Sequence, residues 1–165
     1  MTTSKIFTNC HFFYYCFFRV IAIDLPGYGK TKVLEREVTN NKADYLEAVI
    51  DTLTPDNISV VVTPSMSGGF MVPFIKQSPE KVRAWIPVAP VSTSEGRLFF
   101  PNLKIPTMIV YGENDKGLGI NSRNDLELIP TSTKAQVLPN SGHPAYLDQP
   151  ELWHQLLFNF IESLP

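Results

Sequence analysis

The chain has 165 residues, 44% of them hydrophobic and 18% charged, and its 14 Lys and Arg against 16 Asp and Glu leave a net charge of −2. That length is typical of one domain with a sizeable core. The apolar fraction excludes a disordered chain, and the near-neutral balance offers no electrostatic footprint for nucleic acid or an anionic membrane. Cys10 and Cys16 are too few for a disulfide scaffold or a zinc site, so a reducing compartment and no metal are expected.

The front of the chain is aromatic: Phe7, Phe12, Phe13, Tyr14, Tyr15, Phe17 and Phe18 fall within the first eighteen residues. The apolar run 12–18 is closed by Arg19, far short of the ~20 residues that a membrane span needs. No small-residue cleavage site follows it, so a signal peptide is not expected either. From Arg19 onward short β-branched runs alternate with longer helical patterns. Strands are expected at 20–23, 58–62, 84–88, 107–111 and 135–138, most of them continuously apolar, as strands buried on both faces must be. The 3/4 spacing of Ala43, Leu46, Val49, Ile50 and Leu53 predicts a helix over 43–53. Phe70, Met71, Phe74 and Ile75 predict one over 67–77, in spite of Pro73. A short helix is expected at 121–129, and a last one at 150–163, opened by Pro150 at a favoured first-turn position. Strand–helix alternation implies an α/β domain with a mostly parallel sheet flanked by helices.

In open α/β sheets ligands gather at the carboxyl ends of strands. After the first strand, Gly29-Lys30-Thr31 looks like the tail of a phosphate-binding loop, but the glycine needed five positions earlier is Asp24, so this is a Gly/Pro turn. After the second, Thr63-Pro64-Ser65-Met66-Ser67-Gly68-Gly69 has the layout of a nucleophile elbow, in which strand, sharp turn and helix expose a serine oxygen. The N–H of the next residue, Met66, helps to hold an oxyanion. Alone, this segment reads better as an ordinary Ser/Thr helix cap. After the fourth strand comes Asp115, and after the fifth His143, in a Gly/Pro loop; alone, each is a turn residue. Together they follow three different strands of one sheet in the chain order Ser, Asp, His that a hydrolase of this architecture uses.

The chemistry follows from that set. A serine hydroxyl is a poor nucleophile until a base takes its proton, imidazole can take and return a proton near neutrality, and a carboxylate fixes the imidazole's tautomer. Ser65 is therefore the expected nucleophile, His143 the base and Asp115 the acid member. Ser67 is the rival nucleophile, placed where its hydroxyl is aimed away, while His154 is a surface or packing residue and His11 lies outside the framework.

At these residues the chain resembles the alpha/beta-hydrolase superfamily and, more narrowly, the abhydrolase domain-containing protein 14 family. The resemblance is carried by residues 19–29 (RVIAIDLPGYG), 64–68 (PSMSG), 87–90 (PVAP), 109–112 (IVYG) and 142–148 (GHPAYLD), within a span of 19–163. It implies esterase activity on short acyl esters, removal of acetyl groups from protein lysines with coenzyme A as acyl acceptor, and association with a general transcription factor. A cytoplasmic or nuclear location follows, with no resident cofactor. It also implies strands before residue 20, one of them followed by a His-Gly loop that supplies a second oxyanion N–H. This chain contains no His-Gly pair. The expectation is thus an alpha/beta-hydrolase domain over 19–165, lacking the first strands of its family, behind a leader over 1–18 that the family does not share. A truncated isoform or gene-model variant would account for that.

Three functions compete at this level. The first is a serine acyl hydrolase or acyltransferase for small acyl substrates. The second is a catalytically silent interaction module on the same scaffold. The third is a membrane-attached form using 6–23 as an anchor. The segment 91–101, with Phe99 and Phe100, stands where such enzymes place a lid and is expected to line the site.

Overall fold

The computed structural model describes residues 18–32, 41–54 and 59–165. The chain divides into two compact units, Met1–Arg36 and Glu37–Pro165. In the first, residues 24–31 form a tight turn closed by backbone bonds from Tyr28 N to the Leu25 oxygen (2.9 Å) and from Thr31 N to the Tyr28 oxygen (3.0 Å). The Asp24 carboxylate accepts from Lys30 N at 3.0 Å. Gly29 is left-handed (φ 54°), and a Cβ there would lie 2.3 Å from the Asp24 carboxyl carbon. The Asp24 carboxylate thus fills the inside of the Gly/Pro turn that the sequence predicts. Residues 20–23 form no strand, and Val20, Ile21 and Ile23 are exposed. This corrects the expectation for that run: β propensity becomes a strand only where a neighbouring backbone completes the ladder. The aromatic run up to Phe17, both cysteines, His11 and Asn57-Ile58 lie outside the described residues.

The second unit carries a four-stranded parallel sheet: β1 (Ser59–Pro64), β2 (Val82–Val88), β3 (Val110–Gly112) and β4 (Gln136–Leu138), side by side in chain order. Val60 faces Ala84 and Pro64 faces Val88 in the longest ladder. Of the expected strand over 107–111, only Val110 and Tyr111 fall in the regular strand, which runs on to Gly112; Thr107 contributes isolated bridges to Trp85 and Ser132. Helices α1 (Lys42–Leu53), α2 (Gly68–Gln77), α3 (Gly119–Leu126), α4 (Ala145–Asp148) and α5 (Pro150–Glu162) flank it.

Alternation along β2 sorts the core onto two faces. Ala84, Ile86 and Val88 point to one side, where they pack with Met108, Val110, Leu138, Trp153 and Phe160 beneath α5. On the other side Trp85 is fully buried, packs against Phe100 (5.9 Å between ring centres) and donates its indole N–H to Thr63 Oγ1 at 2.7 Å. Helix α2 continues through Pro73 because Phe70, Met71, Phe74 and Ile75 are all buried, and their burial outweighs the ~3 kcal/mol that an interior proline costs. Helix α1 is tied to the end of α2 and the turn after it. Glu47 accepts from Gln77 (2.7 Å) and Lys81 (2.7 Å), and Lys81 also reaches Asp51 at 2.8 Å.

Among the described residues no helix is long and apolar enough to cross a membrane.

Candidate active site

Three loops leave the carboxyl ends of β1, β3 and β4 and meet above the sheet. The first is a sharp turn. Ser65 holds φ 48°, a left-handed conformation that costs a non-glycine residue about 1 kcal/mol or more. The turn is over-determined by its neighbours. Ser65 O accepts from Val91 N at 3.0 Å. Ser67 Oγ donates to Pro64 O at 2.6 Å, which commits the rival hydroxyl to the backbone. Gly68 lies so close to the segment after β2 that a Cβ there would meet the Val91 carbonyl oxygen at 2.5 Å and Pro90 Cβ at 2.8 Å. A small residue is needed at position 68 because the start of α2 crowds the segment after β2.

The other two loops are stitched to each other. Glu113 N donates to Leu138 O (2.9 Å) and Asn114 N to Ser141 O (2.8 Å). The Glu113 carboxylate accepts from Asn140 N at 2.8 Å, and Asn140 is itself left-handed. Gly112 makes the close approach possible: a Cβ there would sit 2.0 Å from the Gly142 carbonyl oxygen and 2.6 Å from that of Ser141. Gly142 N is in turn held by Asp148 Oδ2 at 2.8 Å, fixing the loop to α4.

The result is a continuous hydrogen-bonded chain. Ser65 Oγ lies 2.8 Å from His143 Nε2, and His143 Nδ1 lies 2.7 Å from Asp115 Oδ2. The Asp115 side chain is only 2% exposed, whereas that of His143 is 41% exposed. Burial alone would push the Asp115 carboxyl upward, but hydrogen bonds from His143 and Gly117 N and the nearby imidazole hold it below the ordinary carboxylate value. An ionised Asp115 accepts a proton-bearing Nδ1, which leaves the lone pair of Nε2 to accept from the Ser65 hydroxyl.

Ser65 and His143 open onto a cleft of about 510 Å³, lined also by Met66, Val91, Asn114, Lys116 and Leu118. Met66 is exposed and lies in the first turn after Ser65, where backbone N–H groups have no intrahelical acceptor. A buried polar relay joins β3, α3 and the segment after β2: Tyr111 OH bonds Ser122 Oγ (2.9 Å), which donates to Pro90 O (2.9 Å). Burial raises the Tyr111 phenol to about 12, so it remains a neutral donor.

All three residues expected from the strand ends, Ser65, Asp115 and His143, are thus brought together. The expected lid is not: of 91–101 only Val91 lines the cleft. Phe100 is fully buried against Trp85 and Phe99, since the apolar face beneath this segment needs covering. Sequence reasoning missed Gly112, although a glycine at a strand end is a known mark of close backbone approach. It also missed Asn114, Lys116 and Leu118, which carry no motif. Among the described residues no three His, Cys, Asp or Glu side chains cluster as a metal site would require.

A parallel sheet with Ser, Asp and His, in that chain order, on three of its strand ends is the architecture of the alpha/beta hydrolases, and solved structures agree. The chain superposes on the meta-cleavage product hydrolase CumD of Pseudomonas fluorescens with a TM-score of 0.76, at 16% identity, covering 91% of this chain and 82% of that one. It superposes on a "predicted CIB-like hydrolase" of Thermoplasma acidophilum with a TM-score of 0.75, at 24% identity, covering 84% and 69%. No family model matches the sequence. Among curated proteins it is 35% identical over 151 residues to the rat "Putative protein-lysine deacylase ABHD14B", covering 89% of this chain and 70% of that protein. It is 36% identical over 150 residues to rat ABHD14A, covering 90% of this chain and 61% of that protein. The chain belongs to the ABHD14 family of alpha/beta hydrolases.

Proposed function

We propose that the chain is a serine acyl hydrolase or acyltransferase that uses Ser65 as nucleophile, His143 as general base and acid, and Asp115 to orient and stabilise the imidazole, within a catalytic domain spanning residues 19–165. The observation that carries this reading is the Asp115–His143–Ser65 hydrogen-bonded chain, with distances of 2.7 and 2.8 Å, ending in a hydroxyl that faces an open cleft. Ser65 Oγ attacks the acyl carbonyl carbon as its proton passes to Nε2. The oxyanion so formed meets the Met66 N–H. Collapse of the tetrahedral species breaks the bond to the leaving oxygen or nitrogen, which takes the proton back from Nε2 and departs. The Ser65 acyl ester is then attacked by an acceptor whose proton again goes to Nε2, restoring the free hydroxyl.

The substrates proposed are small acyl esters and acyl-lysine side chains. The latter rest on likeness to the rat protein named "Putative protein-lysine deacylase ABHD14B". The acceptor is water or a thiol such as that of coenzyme A, the acceptor implied by the family resemblance. Met66 N–H is the one oxyanion donor we assign, and one such donor is typically worth ~10²–10³ in turnover.

The test is labelling of the purified chain by a fluorophosphonate probe beside Ser65→Ala and His143→Ala. Labelling that both substitutions abolish is expected. Absence of labelling in a chain that still melts cooperatively would overturn the enzymatic reading in favour of a silent interaction scaffold.

A further inference from the structure

The wall of the cleft is uneven in character. Met66, Val91 and Leu118 are apolar residues beside Ser65, while the polar Asn114 and the cationic Lys116 also line the cleft. The two full charges among these lining residues differ in where they sit. Asp115 is almost wholly buried, its oxygens taken by His143 Nδ1 and Gly117 N, so its negative charge stays behind the imidazole. Lys116, the next residue along the loop, is exposed and has no ion-pair partner among the described residues. Among the lining residues a ligand in the cleft therefore meets one exposed positive charge and no exposed carboxylate, although the chain as a whole carries −2. An unpaired ammonium in a concave, partly apolar site attracts an anion more strongly than one on an open surface, because fewer waters screen it.

We propose that Lys116 makes this cleft selective for acyl substrates that carry a carboxylate or phosphate away from the scissile carbonyl. This rests on the reading of Ser65 as nucleophile but goes beyond it, since that reading is indifferent to substrate charge. The anion belongs either to the far end of the acyl chain or to the leaving group, and the probes separate the two. For the acyl side the pair is the 4-nitrophenyl monoester of glutaric acid and 4-nitrophenyl valerate. For the leaving-group side it is 4-carboxyphenyl acetate and 4-carbamoylphenyl acetate.

Binding is read by ligand-observed NMR titration in the full chain carrying Ser65→Ala, so that the answer does not depend on turnover. The anionic member of one pair is expected to bind about three- to fivefold more tightly, the range of a partly exposed ion pair. Lys116→Met is expected to erase that preference and Lys116→Glu to reverse it, and added salt to shrink it. Where turnover is measured, the change should fall on KM rather than kcat, since the charge does not develop in the transition state. Equal binding within both pairs, or a preference that survives Lys116→Met, overturns the proposal. Fluorophosphonate labelling of the unsubstituted chain reports separately on Ser65, so failure of the charge preference and failure of the nucleophile assignment give different results.

Discussion

Gly112→Ala attacks the site without touching any of its polar groups. The new methyl would lie 2.0 Å from the Gly142 carbonyl oxygen and 2.6 Å from that of Ser141, against a closest tolerable approach near 3.0 Å. Both neighbours are backbone, so no rotamer change relieves the clash, and the 140–143 loop must withdraw by about 1 Å. His143 travels with that loop, whereas Asp115 is anchored through Gly117 N and the end of β3. The 2.7 Å bond from Nδ1 to Asp115 and the 2.8 Å bond from Nε2 to Ser65 cannot both survive such a shift. A misplacement of ~1 Å costs on the order of 10²-fold in rate. Overpacking itself costs about 1–3 kcal/mol of stability, or roughly 2–4 °C in Tm per kcal/mol at this chain length. The assay is the rate of fluorophosphonate labelling beside a urea titration. A chain that remains folded but labels about a hundredfold more slowly is the expected result. Labelling at the unsubstituted rate would refute the argument that Gly112 sets the spacing of the two loops.

Other consequences are as specific. Thr63→Val removes the acceptor of the buried Trp85 indole N–H, so stability should fall by about 1–3 kcal/mol in chemical denaturation; an unchanged midpoint would contradict the pairing. The lowered pKa of Asp115 means that its ionised form stabilises the fold fully above the ordinary carboxylate value of 3.8 and progressively less as the pH falls through its folded value. The stability difference between the chain and Asp115→Asn should therefore disappear in acid, as denaturation at a series of pH values would show. Burial lowers the pKa of His154 below 6.5, with a bond to the Pro150 carbonyl opposing it. The unfolded chain thus takes that proton first, and stability should decline as the pH drops below about 6.5, with a flatter profile in His154→Gln.

The parts legible in the sequence are those set by local rules. The 3/4 spacing of Leu46, Phe70, Phe74, Trp153 and Phe160 located three helices to within a residue or two, and all five side chains are buried. The apolar run 84–88 lies within β2 because it is buried on both faces. Ser65, Asp115 and His143 were found because strand ends converge in such a sheet, whatever connects them. What depends on a distant partner was not legible. Residues 20–23 have the composition of a strand, yet composition cannot supply a ladder. Phe100 reads as a lid residue in sequence and is a core residue in space, because the bare face beside Trp85 is made by a different segment. Lys116 carries no pattern at all; only the placement of its loop beside Ser65 gives it meaning.

The proposed catalysis requires that Ser65 Oγ become acylated with His143 as its base. The most direct measurement is peptide mapping by mass spectrometry of the chain quenched during reaction with 4-nitrophenyl acetate. An acetyl group on Ser65 that is absent from His143→Ala is the predicted result. Acetylation confined to Ser67 or to surface lysines, or modification of Ser65 undiminished by the loss of His143, would contradict the account.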